Sequence, residues 1–163
     1  MPDVIVECPL NFSDGQHAEV ISAIDQAARR PGVWVLDMSS DVDHNRSVIT
    51  FAGEPGAVEE AAFAIVARAR DLIDLRRHRG THPRIGAVDV VPFVPVRGAT
   101  MADCVAMARR TGERIGRELG IPVYLYEEAA SAPHRRNLAD IRRGEFEGLA
   151  AKMSDPLWTP DYG

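Results

Sequence analysis

Apolar residues along this chain change between two spacings, and the changes mark out the elements. Val4-Ile5-Val6-Glu7-Cys8 is a short β-rich run. After the turn-rich Asn11-Phe12-Ser13-Asp14-Gly15, the residues Val20, Ile21, Ile24, Ala27 and Ala28 recur at helical spacing. Ser13, with Gln16 three residues on, predicts the cap of that helix, and Pro31-Gly32 stops it. Val33 to Met38 is mostly apolar, the mark of a strand buried on both faces. The polar, acidic stretch Ser39 to Asn45 predicts a loop, and Arg46 to Ala52 a third strand ended by Gly53. Pro55 opens a long helix whose stripe is Val58, Ala61, Ala62, Ile65, Val66, Ala69, Leu72 and Ile73.

A fourth strand follows from Ala87 to Val96. Pro92 and Pro95 cannot donate to a ladder, so it is irregular or lies partly at an edge. Thr100 and Asp103 cap a third helix that Gly120 ends. Pro122 to Tyr126 reads as a fifth strand, and short helices are expected over 138–142 and 145–153. The tail from Asp155 to Gly163 carries no clear pattern. The order β-α-β-β-α-β with an added helix and strand predicts one α/β (α+β) domain over residues 1–163, a ferredoxin-like unit with a mixed sheet and helices on one face. Its other face is then either polar or covered by another domain or subunit.

Composition narrows the function. The 24 acidic residues outnumber the 19 basic ones, for a net charge of -5, which argues against general nucleic-acid binding. Cys8 and Cys104 are too few for a disulfide framework and are expected to pack as small hydrophobes. With no basic leader before an apolar run and no stretch near membrane-spanning length, the expectation is a soluble, cytoplasmic protein without membrane partners.

Against that acidic background, residues 76–86 gather Arg76, Arg77, Arg79, Arg84, His78 and His82 around Gly80 and Gly86, just before an apolar strand. Histidine takes and gives protons near neutral pH, and the arginine fork suits carboxylates. His82, held between a Gly-Thr turn and Pro83, is the catalytic candidate, against the plainer possibility of a loop histidine with a hydrogen-bonded ring. Asn45-Arg46 and Arg84 are candidates for a carboxylate clamp, whereas Arg109, Arg110, Arg117, Arg142 and Arg143 read as solvated surface. Asp89 alternates with apolar neighbours, so its carboxylate needs a partner, expected to be a histidine or arginine of the loop. Tyr124 and Tyr126 share a strand face, either as core aromatics or as a pocket wall. A metal held by His44, His78 and Asp41 fits no dedicated zinc spacing, so none is expected. No dinucleotide fingerprint, Walker loop or nucleophile elbow is present in the sequence.

Several ordered segments resemble the N-terminal subdomain of glutamate formimidoyltransferase. They are Glu7-Cys8 with Asn11-Phe12-Ser13-Asp14-Gly15, then Asp43-His44-Asn45-Arg46-Ser47-Val48, and His82-Pro83-Arg84-Ile85-Gly86-Ala87 with Asp89-Val90 and Pro92-Phe93. Pro122 to Tyr126, Asn137 to Leu149 and Pro160-Asp161-Tyr162-Gly163 continue the series to the end of the chain. The resemblance implies a folate-binding transferase of one-carbon metabolism and histidine degradation. Such an enzyme moves a formimino group from N-formimino-L-glutamate to N5 of its co-substrate tetrahydrofolate. It also implies His82 as acid/base, substrate contacts from His44, Asn45, Arg46, Arg84, Asp89 and Tyr126, and a homodimer. Thr81 stands where the family often has glutamate, and Pro9-Leu10 where it usually has Val-Pro. The family's folate channel is completed by a C-terminal subdomain, so one expectation is that this subdomain is absent here and that a partner chain supplies it. The alternatives are a noncatalytic standalone module for ligand binding or dimerisation, and transfer of a related one-carbon group.

Overall fold

Alternation sets the first strand: β1 (Ile5–Phe12) buries Val6, Cys8, Leu10 and Phe12 while its other residues stay partly exposed. A computed structural model describes residues 2–163 of the chain. After β1 come α1 (Ala18–Ala28), β2 (Val33–Asp41), β3 (Arg46–Gly53) and α2 (Pro55–Leu72). The sheet is completed by two short pieces, β4 (Val88–Val90) and β5 (Val94–Arg97), both paired to β1. The strand order is β2-β3-β1-β4. This is the expected split β-α-β unit, with β3 inserted between β1 and β2.

Every ladder is antiparallel, so the sheet expected to be mixed has no parallel neighbours. Both β1 and β2 run opposite to β3, which keeps them parallel to each other without touching. Pro92 breaks the fourth strand into its two pieces at the sheet's edge, as its missing N–H requires.

One face of the sheet meets α1 and α2. There Leu10, Phe12, Ile49 and Phe51 interlock with Ile24, Val58, Ile65 and Ala69, and all eight are fully buried. The stripe predicted for α2 is the buried one, with Leu72 and Ile73 packed at its end. Cys8 and Cys104 both lie in this core as small hydrophobes, and burial pushes both thiols up. On the opposite face Glu7, Pro9 and Asn11 of β1 and Arg46, Val48 and Thr50 of β3 are only partly buried.

Four local expectations fail: Ser39, Ser40 and Asp41, expected in a loop, extend β2 and pair with β3. Strand β2 is an outer strand and largely exposed, with Leu36 at 59% exposure, because nothing covers its free edge. Ser13 does not cap α1: its Oγ donates to the Gly86 carbonyl at 2.7 Å, and Asp14 Oδ1 accepts from the Gln16 and His17 amides instead. Residues 122–126 form no strand beyond an isolated bridge between Val123 and Tyr162. That stretch finds polar partners in the tail, where Asp161 Oδ2 accepts from the Leu125 amide.

The third helix, α3 (Met101–Arg114), begins with the predicted Thr100 and Asp103 cap, both halves of the capping box being made. It widens into a π turn over Ile115–Leu119 and ends at Gly120, whose φ of 66° is left-handed. Helices α4 (Leu138–Arg142) and α5 (Leu149–Met153) follow, the second starting four residues later than expected because Gly144 and Glu145 turn the chain with positive φ.

Candidate active site

The site begins with three loops locked together. Gly15 lies so close to the β2–β3 hairpin that a Cβ there would meet the Asp41 carbonyl at 2.2 Å, and a Cβ on Gly80 would meet the His44 carbonyl at 2.4 Å. Between these two glycines sits Asn45, buried and left-handed at φ 51°. Its Oδ1 accepts from the Gly15 amide at 2.9 Å and its Nδ2 donates to the Arg79 carbonyl at 3.0 Å. The Asn45 side chain is thereby spent on the scaffold, at a φ that asparagine tolerates better than most residues.

His78 and Arg84 belong to the same scaffold. Arg84 Nε donates to His78 Nδ1 at 2.9 Å, so His78 carries its proton on Nε2, which donates to the Asn45 carbonyl at 2.9 Å. The rest of the Arg84 fork binds Glu147 at 2.7 and 2.8 Å and Glu145 at 3.3 Å. With its guanidinium 6% exposed as a residue and every nitrogen engaged, Arg84 has no face left for a ligand. It ties residues 76–86 to the turn after α4.

The open sheet face carries the remaining candidates. Register places Arg46 opposite Asp41, Val48 between Asn11 and Ser39, and Thr50 between Pro9 and Asp37. Arg46 Nη1 reaches His82 Nε2 at 2.7 Å. His44 lies edge-on to His82, ring centroids 6.3 Å apart, and pairs with Asp41 at 3.0 Å. Asp89 stands beyond them, its side chain 2% exposed. Its Oδ1 accepts from the Ile85 amide at 2.6 Å and its Oδ2 from Arg142 Nε at 2.8 Å, with Arg142 Nη2 closing the same pair.

The buried Asp89 carboxylate thus has its cation from α4 and not from the loop. Arg142, expected to be solvated surface, is a half-buried member of the site. Two sequence signals pointed to it: an acid among apolar neighbours at Asp89, and Arg142 directly after Ile141, the buried residue of α4. Lys152 fixes the end of that short helix by donating to the Asp140 and Ile141 carbonyls at 3.0 and 2.6 Å.

The electrostatics suit a base. Desolvation holds the His82 imidazole below its ordinary pKa, Arg46 and then Arg142 add to this, and Asp89 with the Pro83 backbone oppose it. These surroundings favour the uncharged imidazole. Desolvation pushes the Tyr126 phenol up to about 12, so it stays protonated. Asp89 and Tyr126 also line the molecule's large cavity, about 820 Å³ between α2, β4, α3 and residues 121–129, whose walls include Phe93, Cys104, Val105 and Leu138. The structure thus gathers His82, Arg46, His44 and Asp89, with Tyr126 behind them, and assigns Asn45 and Arg84 to the frame. Among the described residues no three His, Cys, Asp or Glu side chains gather as a metal cage. No helix among them is long and apolar enough to cross a membrane.

Known proteins share this chain's pattern. Residues 5–163 match the formiminotransferase domain, N-terminal subdomain. A glutamate formimidoyltransferase of Streptococcus pyogenes is 50% identical over 160 residues, covering 98% of this chain and 54% of that protein. One from Thermoplasma acidophilum is 47% identical over 162 residues, again covering 98% of this chain and 54% of the relative. A formimidoyltransferase-cyclodeaminase of Rattus norvegicus is 49% identical over 160 residues, 98% of this chain and 30% of the relative. The chain spans about half or less of the length of these relatives. It belongs to the formiminotransferase family and corresponds to that family's N-terminal subdomain.

Proposed function

We propose that this domain is the acid/base half of a formimidoyltransferase, moving a formimino group from N-formimino-L-glutamate to N5 of tetrahydrofolate. The observation that carries this reading is the half-buried imidazole of His82 in contact with Arg46 at 2.7 Å, with the Asp89–Arg142 pair facing it. N5 attacks the amidine carbon and loses a proton, the carbon–nitrogen bond to glutamate breaks, and the departing nitrogen gains a proton. One imidazole that accepts the first proton and returns it to the leaving nitrogen serves both steps, and such catalysis typically contributes about 10²–10⁴ in rate.

Arg46, which makes no ion pair among the described residues, holds a substrate carboxylate in this reading, and His44 contacts the same ligand. Asp89 acts through Arg142 on the charge around His82, and Tyr126 offers a protonated hydroxyl beside them. The open face, polar at Asn11, Ser39, Asp37 and Thr50, is the surface along which folate lies, with a C-terminal subdomain covering it. That subdomain comes from the same polypeptide or from a partner chain. A homodimer in the cytoplasm completes the reading taken from the family resemblance.

The test is formimino transfer from N-formimino-L-glutamate to tetrahydrofolate by the purified chain, with each ligand's binding followed by calorimetry. Turnover supports a sufficient site in this chain or its homodimer. Binding of both ligands, with turnover only after a C-terminal subdomain is added, supports a half-site. Absence of binding and turnover in both settings would reject the reading in favour of a noncatalytic module.

A further inference from the structure

The contact between Arg46 and His82 poses a chemical problem. A guanidinium offers only donors and does not give up its proton in proteins. The 2.7 Å contact therefore requires His82 Nε2 to be the acceptor, with the ring's proton on Nδ1. The lone pair a general base needs is occupied by an arginine.

Nothing else holds that arginine. Arg46 is half-buried, its side chain makes no other hydrogen bond, and among the described residues no carboxylate lies within ion-pair distance of it. Asp41 pairs with His44, Asp89 with Arg142 and Asp14 with His17, and among the described residues Asp43, three positions from Arg46, makes no ion pair with it. In a chain of net charge -5, one site guanidinium is left facing a neutral nitrogen. A carboxylate is a better partner, because charge-assisted bonds are roughly twice as strong as neutral ones and the fork accepts a carboxylate bidentately.

We infer that Arg46 is a substrate-operated mask on His82: it occupies Nε2 in the empty site, and a carboxylate of the glutamate-type donor draws it away, freeing that nitrogen to act as base. The inference rests on the acid/base reading of His82 but is tested without turnover. It makes Arg46 a specificity-determining residue. A donor whose carboxylates are amidated would leave the base masked, and so would lose kcat as well as affinity.

The charged groups facing His82 set the sign of the response. They are Arg46 from β3, Arg142 from α4 and Asp89 from β4, with His44 of the hairpin edge-on. Arg46 and Arg142 favour the uncharged ring and Asp89 the charged one, so withdrawing Arg46 moves the His82 titration upward.

The test uses ¹⁵N-labelled chain, with long-range ¹H–¹⁵N correlations reporting the tautomer and titration of His82 and His82→Gln supplying the assignment. In the free protein His82 is expected as the Nδ1–H tautomer, titrating below the ordinary 6.5. Arg46→Met should abolish the fixed tautomer and raise the midpoint, and Arg46→Gln is the second variant if the first folds poorly. In the unsubstituted chain, N-formyl-L-glutamate should release Nε2 and raise the midpoint, whereas its neutral diamide should do neither. A His82 tautomer and midpoint identical with and without Arg46 would overturn the mask. So would a His82 that ignores N-formyl-L-glutamate, whether the probe binds elsewhere or not at all. A chain that passes this test but stays inactive with a C-terminal subdomain present contradicts only the catalytic reading, and an active enzyme that fails it contradicts only the mask.

Discussion

Residues 76–86 supply two histidines, each of which meets an arginine, and the two pairs have opposite fates. His78 and Arg84 are both buried, and every nitrogen of the pair has a partner: the Asn45 carbonyl, Glu145 and Glu147 complete the set. His82 and Arg46 are only half-buried, and beyond their mutual contact the guanidinium has no partner among the described residues. The chemistry of the two contacts is the same. What separates frame from site is the number of partners left unfilled, and that number depends on which elements converge. The first pair sits between the hairpin and the turn after α4, and the second where the start of β3 meets the loop ahead of β4.

Perturbing the frame sharpens this contrast. Asp89→Ala should have the largest effect on stability, because it strips the partner from Arg142 and the acceptor from the Ile85 amide within a closed site. Breaking one side of a buried pair costs about 3–5 kcal/mol, and a value near 3 suits an Arg142 that keeps some exposure. Urea denaturation measures it, and a loss under about 1 kcal/mol would mean the carboxylate is not structurally required.

Arg84→Met should cost less, about 2 kcal/mol, since it orphans His78 Nδ1 while Glu145 and Glu147 return to water. The same denaturation series checks the ranking. A loss above that of Asp89→Ala would reverse it.

Acid titration should give the smallest effects. The Arg84 guanidinium holds the Glu147 carboxyl down at about 2, against an ordinary 4.5. Its contribution is therefore complete above pH 4.5 and lost as pH falls toward 2. Glu147→Gln should remove that slope, modestly because Glu147 is exposed and screened. His82 also has a lowered folded pKa. Its contribution is present above pH 6.5 and lost as pH falls through the folded value, so His82→Gln should flatten the stability curve just below 6.5. Stability curves of these variants that overlay the parent's would remove both assignments.

The sequence patterns made the fold legible wherever one face is buried. The α2 stripe, the Thr100 cap and the broken proline strand follow from periodicity and from what proline and threonine can do locally. Position within the sheet did not follow. Apolar content in β2 is the same whether the strand is central or at an edge, so its exposure depends on a strand order set by long-range pairing. Residues 122–126 have strand propensity but no adjacent edge to join, and the tail satisfies them instead.

The site was legible in its residue types and less so in their roles. Asp89 is the buried, partnered acid that its apolar neighbours implied, and Arg46 and His82 lie in contact with each other. Arg84 and Arg142 exchanged places, because burial of an arginine depends on which acids the fold delivers to it. Glu145 and Glu147 lie more than sixty residues from Arg84 in the chain, and Asp89 lies 53 residues from Arg142. No local pattern carries that information.

The most direct test compares His82→Ala with His78→Ala, measuring thermal midpoint and formimino transfer with a C-terminal subdomain present. His82→Ala should lower transfer by about 10²–10⁴ while leaving the midpoint nearly unchanged. His78→Ala leaves Arg84 Nε and the Asn45 carbonyl unpaired, so it should lower the midpoint by about 4–8 °C while the folded fraction still turns over. The reverse pattern, with turnover surviving loss of His82 and the fold indifferent to His78, would contradict the division of this loop into frame and site.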